Sequence, residues 1–95
     1  MVSIEDVYQQ IADIARRERA RRVILFGSRA RGDNFPKSDI DLAVEGCQNF
    51  GRLYDALQND LWSLLKVDVV DLDGTVSEEL RKEIARDGKV LYEEV

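Results

Sequence analysis

There is no histidine in this chain, and the only cysteine is Cys47. Without imidazole, the Ser/His and Cys/His pairs of nucleophilic catalysis cannot be built, nor can an ordinary zinc site. Any metal ion must then be held by oxygen, and carboxylates favour hard cations such as magnesium or manganese. A lone thiol forms no internal disulfide, which fits a reducing cytoplasm. Basic residues are outnumbered as well: 14 Lys and Arg against 19 Asp and Glu leave a net charge of -5. Strong nonspecific nucleic-acid binding rests on neutralised phosphates and is not expected of such a chain. No apolar run is long enough for a signal peptide or a membrane span. Repeats, low-complexity segments and linkers are missing from the 95 residues, a length that suits one domain over 1–95. Its core is modest, burying roughly 60–70% of the surface that the unfolded chain exposes.

What the chain does have is clear local patterning. Ser3 and Asp6 have the spacing of a capping box, and Val2 and Val7 that of a hydrophobic staple. Ile4, Val7, Tyr8, Ile11, Ile14 and Ala15 follow at helical spacing, so a helix is predicted over 3–20. Its last turns carry Arg16, Arg17, Arg19, Arg21 and Arg22. These either complement the negative end of the helix dipole or form a basic patch for a nucleotide or acidic partner. The run 23–26, VILF, reads as a central strand covered on both faces, and 28–38 as a polar turn region. A second helix is predicted over 48–65 from the stripe Phe50, Leu53, Tyr54, Leu57, Leu61 and Leu64. KVDVVDL at 66–72 is a valine-rich strand with Val67 and Val69 on one face and Asp68 and Val70 on the other. Thr75 and Glu78 suggest a capping box for a third helix ended by Gly88, and 89–93 a short edge strand. The fold class is α/β or α+β: a small mixed sheet packed by about three helices. Phe35, Trp62 and Tyr92 lie near element ends, where aromatics serve as core edges or partner contacts.

The chemistry concentrates in two stretches, GSRARG at 27–32 and SDIDLAV at 38–44. Gly27 and Gly32 have the glycine spacing of a P-loop, but Asp33 and Asn34 stand where Lys and Ser or Thr would be needed. A Gly-Ser turn at a strand end still presents N–H groups and a hydroxyl to phosphate oxygens. Strand alternation puts Asp39, Asp41 and Ala43 on one face, the two carboxylates about 6.6 Å apart along the backbone. Such a pair converges on a shared cation or is paired with arginines such as Arg29 and Arg31. Asp68, set among valines, is the third acid. If its strand neighbours that of Asp39 and Asp41, three carboxylates meet, the donor set of a two-metal clamp for phosphoryl or nucleotidyl displacement. A calcium loop centred on Gly74 fails, because Val69 and Leu80 occupy positions that need acids.

Taken together, GSRARGDNFPKSDIDLAV resembles the G-S-x-x-x-G plus D-x-D signature of the DNA polymerase beta-like nucleotidyltransferase superfamily. Over residues 3–93 the chain resembles the minimal nucleotidyltransferase branch, in which the third acid falls on Asp68. The resemblance implies that Gly27 and Ser28 hold the β- and γ-phosphates of ATP. It implies two Mg2+ ions on Asp39 and Asp41, with Asp68 completing the shell of the catalytic ion and able to deprotonate the acceptor hydroxyl. Arg29 and Arg31 either touch phosphate or neutralise the aspartates.

So short a chain leaves little room for an acceptor-binding domain, and the acceptor must bring its own surface. The same resemblance implies an antitoxin-type partner of a small helical HEPN toxin, with AMP transferred from ATP to a tyrosine of that protein. The alternatives are a binding module that masks its partner without catalysis, and transfer to a small molecule or RNA, the acidic balance disfavouring RNA. The expected setting is cytoplasmic, in a homo- or hetero-oligomer.

Overall fold

The computed structural model describes residues 2–94. Helix α1 (Ile4–Arg17) leads into strand β1 (Arg22–Phe26), the short helix α2 (Ser28–Arg31) and strand β2 (Ile40–Glu45). Helix α3 (Phe50–Asn59), strand β3 (Val67–Asp71), helix α4 (Glu78–Asp87) and strand β4 (Lys89–Glu93) follow. The four strands form one mixed sheet in the order β3-β2-β1-β4. β1 pairs antiparallel with both β2 and β4, and β2 pairs parallel with β3 across the α3 connection.

Alternation along the central strands builds a core on each face of the sheet. Val23, Leu25, Ile40, Leu42 and Val44 face the stripes of α1 and α3, with Ile11, Leu53 and Leu57 among the most buried side chains. Ile24, Phe26 and Ala43 face the other way, onto Ile84 of α4. The apolar run of β1 is thus covered on both sides, as its sequence predicts. Among the described residues no helix is long and apolar enough to cross a membrane.

Local signals set most element ends. Ser3 Oγ accepts from the Asp6 N–H at 3.1 Å while Asp6 returns the bond to Ser3, so the predicted capping box is formed. The helix ends earlier than predicted, at Arg17, and Arg19 takes a positive φ of 60° beyond it. Three of its trailing arginines are engaged within the chain: Arg16 with Asp13, Arg17 with Glu18 and Asp60, and Arg22 with Glu45 and Glu93. That satisfies much of the cluster internally instead of leaving it as a free basic patch.

Three sequence expectations are corrected. The polar turn region 28–38 contains a helical turn, α2, whose Ala30 is buried. Helix α3 runs only over Phe50–Asn59, capped by Asn49, because the chain must reverse to enter β3 parallel to β2. The Trp62 N–H then bonds to Gln10 Oε1 at 2.9 Å, and Leu61 still packs on the core, but Leu64 is fully exposed. Helix α4 is capped by Ser77, which accepts from the Leu80 N–H at 3.2 Å, and not by Thr75. The turn before it is tied to the sheet, with Leu72 N–H on the Val44 carbonyl and Gly46 N–H on Asp73, so residues 75–76 are spent reaching the helix start. Gly88 does end α4, in extended rather than left-handed backbone; a Cβ there would strike the Ile84 carbonyl and the Ile24 side chain. Of the three aromatics near element ends, Tyr92 packs on the core, whereas Phe35 and Trp62 are 77% and 76% exposed.

Candidate active site

Strand pairing draws the singled-out residues to one edge of the sheet. Phe26, the last residue of β1, lies opposite Asp41, and Asp41 lies beside Asp68 in the parallel pair. Gly27 therefore leaves β1 directly over the Asp41 carboxylate. It is buried, with φ +74° and ψ -156°, and an added Cβ would collide with Asp41 Oδ2. Only glycine gives both that backbone and that clearance. The chain then closes into α2, where the N–H groups of Ala30 and Arg31 return to the Gly27 carbonyl, each at 3.1 Å. The Ser28 and Arg29 amides open this turn, a place where N–H groups have no intrahelical partner.

Asp41 is half-buried, and its pKa is raised above the ordinary 3.8. Burial is the largest cause, followed by the negative charges of Asp68, Asp39 and Glu83; the nearby positive charge of Arg31 acts weakly in the other direction. Like charges drawn together in this way favour either a proton or a cation between them. Asp68 has one cationic neighbour, Lys66 Nζ at 3.7 Å, and both are substantially exposed. Asp39 lies one residue ahead of β2 and is exposed. Among the described residues no three acids are gathered into a ready-made cage for one ion. The structure thus sets Asp41 and Asp68 side by side, with Asp39 close enough to act on the charge of Asp41. A hard cation fits this donor set in its chemistry, with side-chain rotation needed to bring the oxygens to one point.

The two arginines are engaged elsewhere than on the aspartates of the D-x-D pair. Arg29 donates from Nε to the Ser38 carbonyl at 3.0 Å and from Nη2 to the Pro36 carbonyl at 2.9 Å. Arg31 pairs with Asp33 at 3.2 Å and reaches across to α4, where Glu83 and Asp87 lie at 3.3 and 3.9 Å. Glu83 is a site neighbour that sequence reasoning missed. It belongs to a helix distant in sequence, and no motif marks it.

A cleft of about 640 Å³ is lined by none of these carboxylates. It lies between the start of α1 and the 61–65 segment, lined by Val7, Arg29, Pro36, Trp62 and Leu64. The charged edge of the sheet is the better candidate for chemistry, since it holds the carboxylates and the glycine turn; the cleft is an apolar neighbour.

Several known proteins are similar to this chain. Residues 9–95 match the family "Polymerase beta, Nucleotidyltransferase". "Putative protein adenylyltransferase MJ0604" of Methanocaldococcus jannaschii is 36% identical over 85 residues, covering 80% of this chain and 82% of that protein. A toxin-antitoxin crystal structure with AMP-PNP superposes with a TM-score of 0.68 at 28% identity, over 92% of this chain and 73% of the other. The structure of a "putative minimal nucleotidyltransferase" gives a TM-score of 0.65 at 28% identity, over 90% of both chains.

Proposed function

Because the chain belongs to the polymerase beta nucleotidyltransferase family, as one of its minimal members, we propose that it transfers AMP from ATP to a hydroxyl of a partner protein. The observation that carries this reading is the register that sets Asp41 beside Asp68 and opposite Phe26, the end of β1, so that Gly27 turns directly over the Asp41 carboxylate. The adenylyltransferase name of the archaeal relative and the AMP-PNP of the toxin-antitoxin structure support ATP as the donor.

Gly27 and Ser28 would receive the β- and γ-phosphates at the open end of α2. Asp39 and Asp41 would hold two Mg2+ ions, with Asp68 completing the shell of one. Such ions neutralise the triphosphate and make a bound hydroxyl a better nucleophile. The acceptor oxygen attacks the α-phosphorus in line, the bond from that phosphorus to the β-bridging oxygen breaks, and pyrophosphate leaves. Asp68, the more open of the strand pair, accepts the hydroxyl proton. Asp41, between Asp39 and Asp68, is the carboxylate most in need of a cation, in keeping with its raised pKa.

The acceptor is a tyrosine of a helical HEPN toxin, which this chain silences as an antitoxin. Support comes from toxin-antitoxin assemblies among the structural neighbours, one of them MntA-HepT, at 25% identity and a TM-score of 0.62. The exposed Phe35, Trp62 and Leu64 are the kind of surface a partner would cover. Purified chain, partner and labelled ATP should yield an AMP adduct on the partner by mass spectrometry; nucleotide binding without any adduct would sink the proposal. The same exposed apolar residues would also serve a chain that neutralises its partner by masking it. An Asp39→Asn/Asp41→Asn variant separates the two readings: transfer requires that it lose protection of cells, and masking that it keep it.

A further inference from the structure

Arg29 directs its guanidinium to two neutral carbonyls, although the chain is crowded with carboxylates. Among the described residues no carboxylate lies within ion-pair distance of it. Its acceptors are Pro36 and Ser38, and Ser38 is the residue immediately before Asp39. Residues 35–38 close a small turn of their own: the Ser38 N–H donates to the Phe35 carbonyl at 3.0 Å, and the Phe35 N–H to Ser38 Oγ at 2.8 Å. On the other side of Asp39, the Ile40 N–H donates to the Lys66 carbonyl at 2.8 Å. Asp39 is thus the one residue between two anchors, a guanidinium before it and the sheet after it. The sheet anchor comes with β2 itself. The guanidinium anchor comes from α2, from the residue next to Ser28.

We propose that Arg29 is a positioning residue that locks the Asp39 carboxylate to the Ser28 turn, in place of a phosphate contact. The proposal rests on the reading of Asp39 as a metal ligand given above. Its physical basis is the shape of the guanidinium: a planar fork reaches two carbonyls two residues apart, whereas an ammonium is a point donor that cannot hold the same pair in one plane. Residues 31–33 are held to α2 by backbone bonds to Gly27 and Ser28, but without the fork the following stretch 34–37, exposed from Phe35 on, would keep only its own small turn, and Asp39 would sample positions away from Asp41. A donor aimed at the backbone beside a ligand acts as outer-shell support does in metal sites, where removal costs about 10–100-fold in metal affinity.

The test compares wild type with Arg29→Ala, Arg29→Lys and Asp39→Asn. In metal-free, nucleotide-free protein, amide hydrogen exchange at 38–40 should be about tenfold faster in Arg29→Ala, the factor expected when roughly 1.4 kcal/mol of hydrogen bonding is lost. Exchange in β1 and β4 should be unchanged, which also shows that the variant folds. Mn2+ affinity, read by electron paramagnetic resonance with a non-hydrolysable ATP analogue, should fall about 10–100-fold, while binding of the metal-free analogue stays the same. Arg29→Lys should fall between the two, and added guanidinium ion should partly restore Arg29→Ala. Unchanged exchange at 38–40 together with weakened binding of the metal-free analogue would overturn the proposal in favour of a phosphate contact. Should Asp39→Asn bind Mn2+ as wild type does, it is the metal reading of Asp39 that fails, and the exchange result still decides whether Arg29 holds the loop.

Discussion

At Gly27 two independent constraints meet, a backbone conformation open to glycine and a carboxylate where a side chain would be. Gly27→Ala should therefore lower stability by about 1–3 kcal/mol in urea unfolding and lower AMP transfer by about 100-fold, the scale of a misplaced reacting group. Gly32 is the control. It too has positive φ, at +86°, but nothing lies within 4 Å of an added Cβ, so Gly32→Ala should cost about 1–2 kcal/mol with transfer largely retained. Asp41 gives a prediction of opposite sign. Its pKa is raised in the folded protein, so the native state is favoured when the group is protonated, and that advantage is lost as pH rises through the folded pKa. In EDTA at neutral pH, Asp41→Asn should melt a few degrees above wild type, and the gap should close as pH falls below the ordinary 3.8. The same variant should lose at least about 100-fold in transfer, as when one electrostatic stabiliser is removed from a reacting centre. A melt unchanged across this range would refute the electrostatic account of the site.

The elements show where local signals suffice and where they compete. Ser3 and Asp6 form their capping box, and the residues flanking Ser3, Val2 and Ile4, offer no competing cap. Before α4, Thr75 and Ser77 both carry the right group, and the tethered turn at 71–74 decides in favour of Ser77. Ser77→Ala should cost about 1 kcal/mol, the usual loss of an N-cap. Thr75→Ala should stay within about 0.5 kcal/mol. Equal losses from the two in urea unfolding would show that α4 starts earlier than described. α2 is a different case: four residues make one turn, too few for periodicity to register. Arg31 ties that turn to Glu83 and Asp87 of α4, a link between elements that neither segment announces.

On the scale of the whole molecule, the sheet is covered by α1 and α3 on one face and by α4 on the other, and the carboxylates project from the edge where Gly27 turns. Two leucines of one sequence stripe show how packing sorts residues that periodicity treats alike. Leu53 is fully buried, whereas Leu64 lies beyond the end of α3 at 106% exposure. Leu53→Ala should cost about 2–5 kcal/mol, and Leu64→Ala should fall within about 0.5 kcal/mol in the isolated chain. If Leu64 contributes to partner binding, its truncation should weaken the complex while leaving the melt of the free protein unchanged.

By itself the sequence determined whatever depends on near neighbours along the chain: the capping box at Ser3 and the covered strand at 23–26. Strand alternation and helix capping act over two to four residues, so they can be read without knowing the fold. Composition excluded the Ser/His and Cys/His pairs and an ordinary zinc site, since the absence of histidine is independent of arrangement. The signature around Gly27 and Asp39 was also legible, and its family proved to be that of the chain. Only the tertiary structure decided that β3 lies beside β2 with Asp68 level with Asp41, that α3 stops at Asn59, and that Arg29 holds the loop leading to Asp39. Those outcomes depend on which apolar faces are buried against each other, and that pairing joins residues too far apart in the chain for any local period to record.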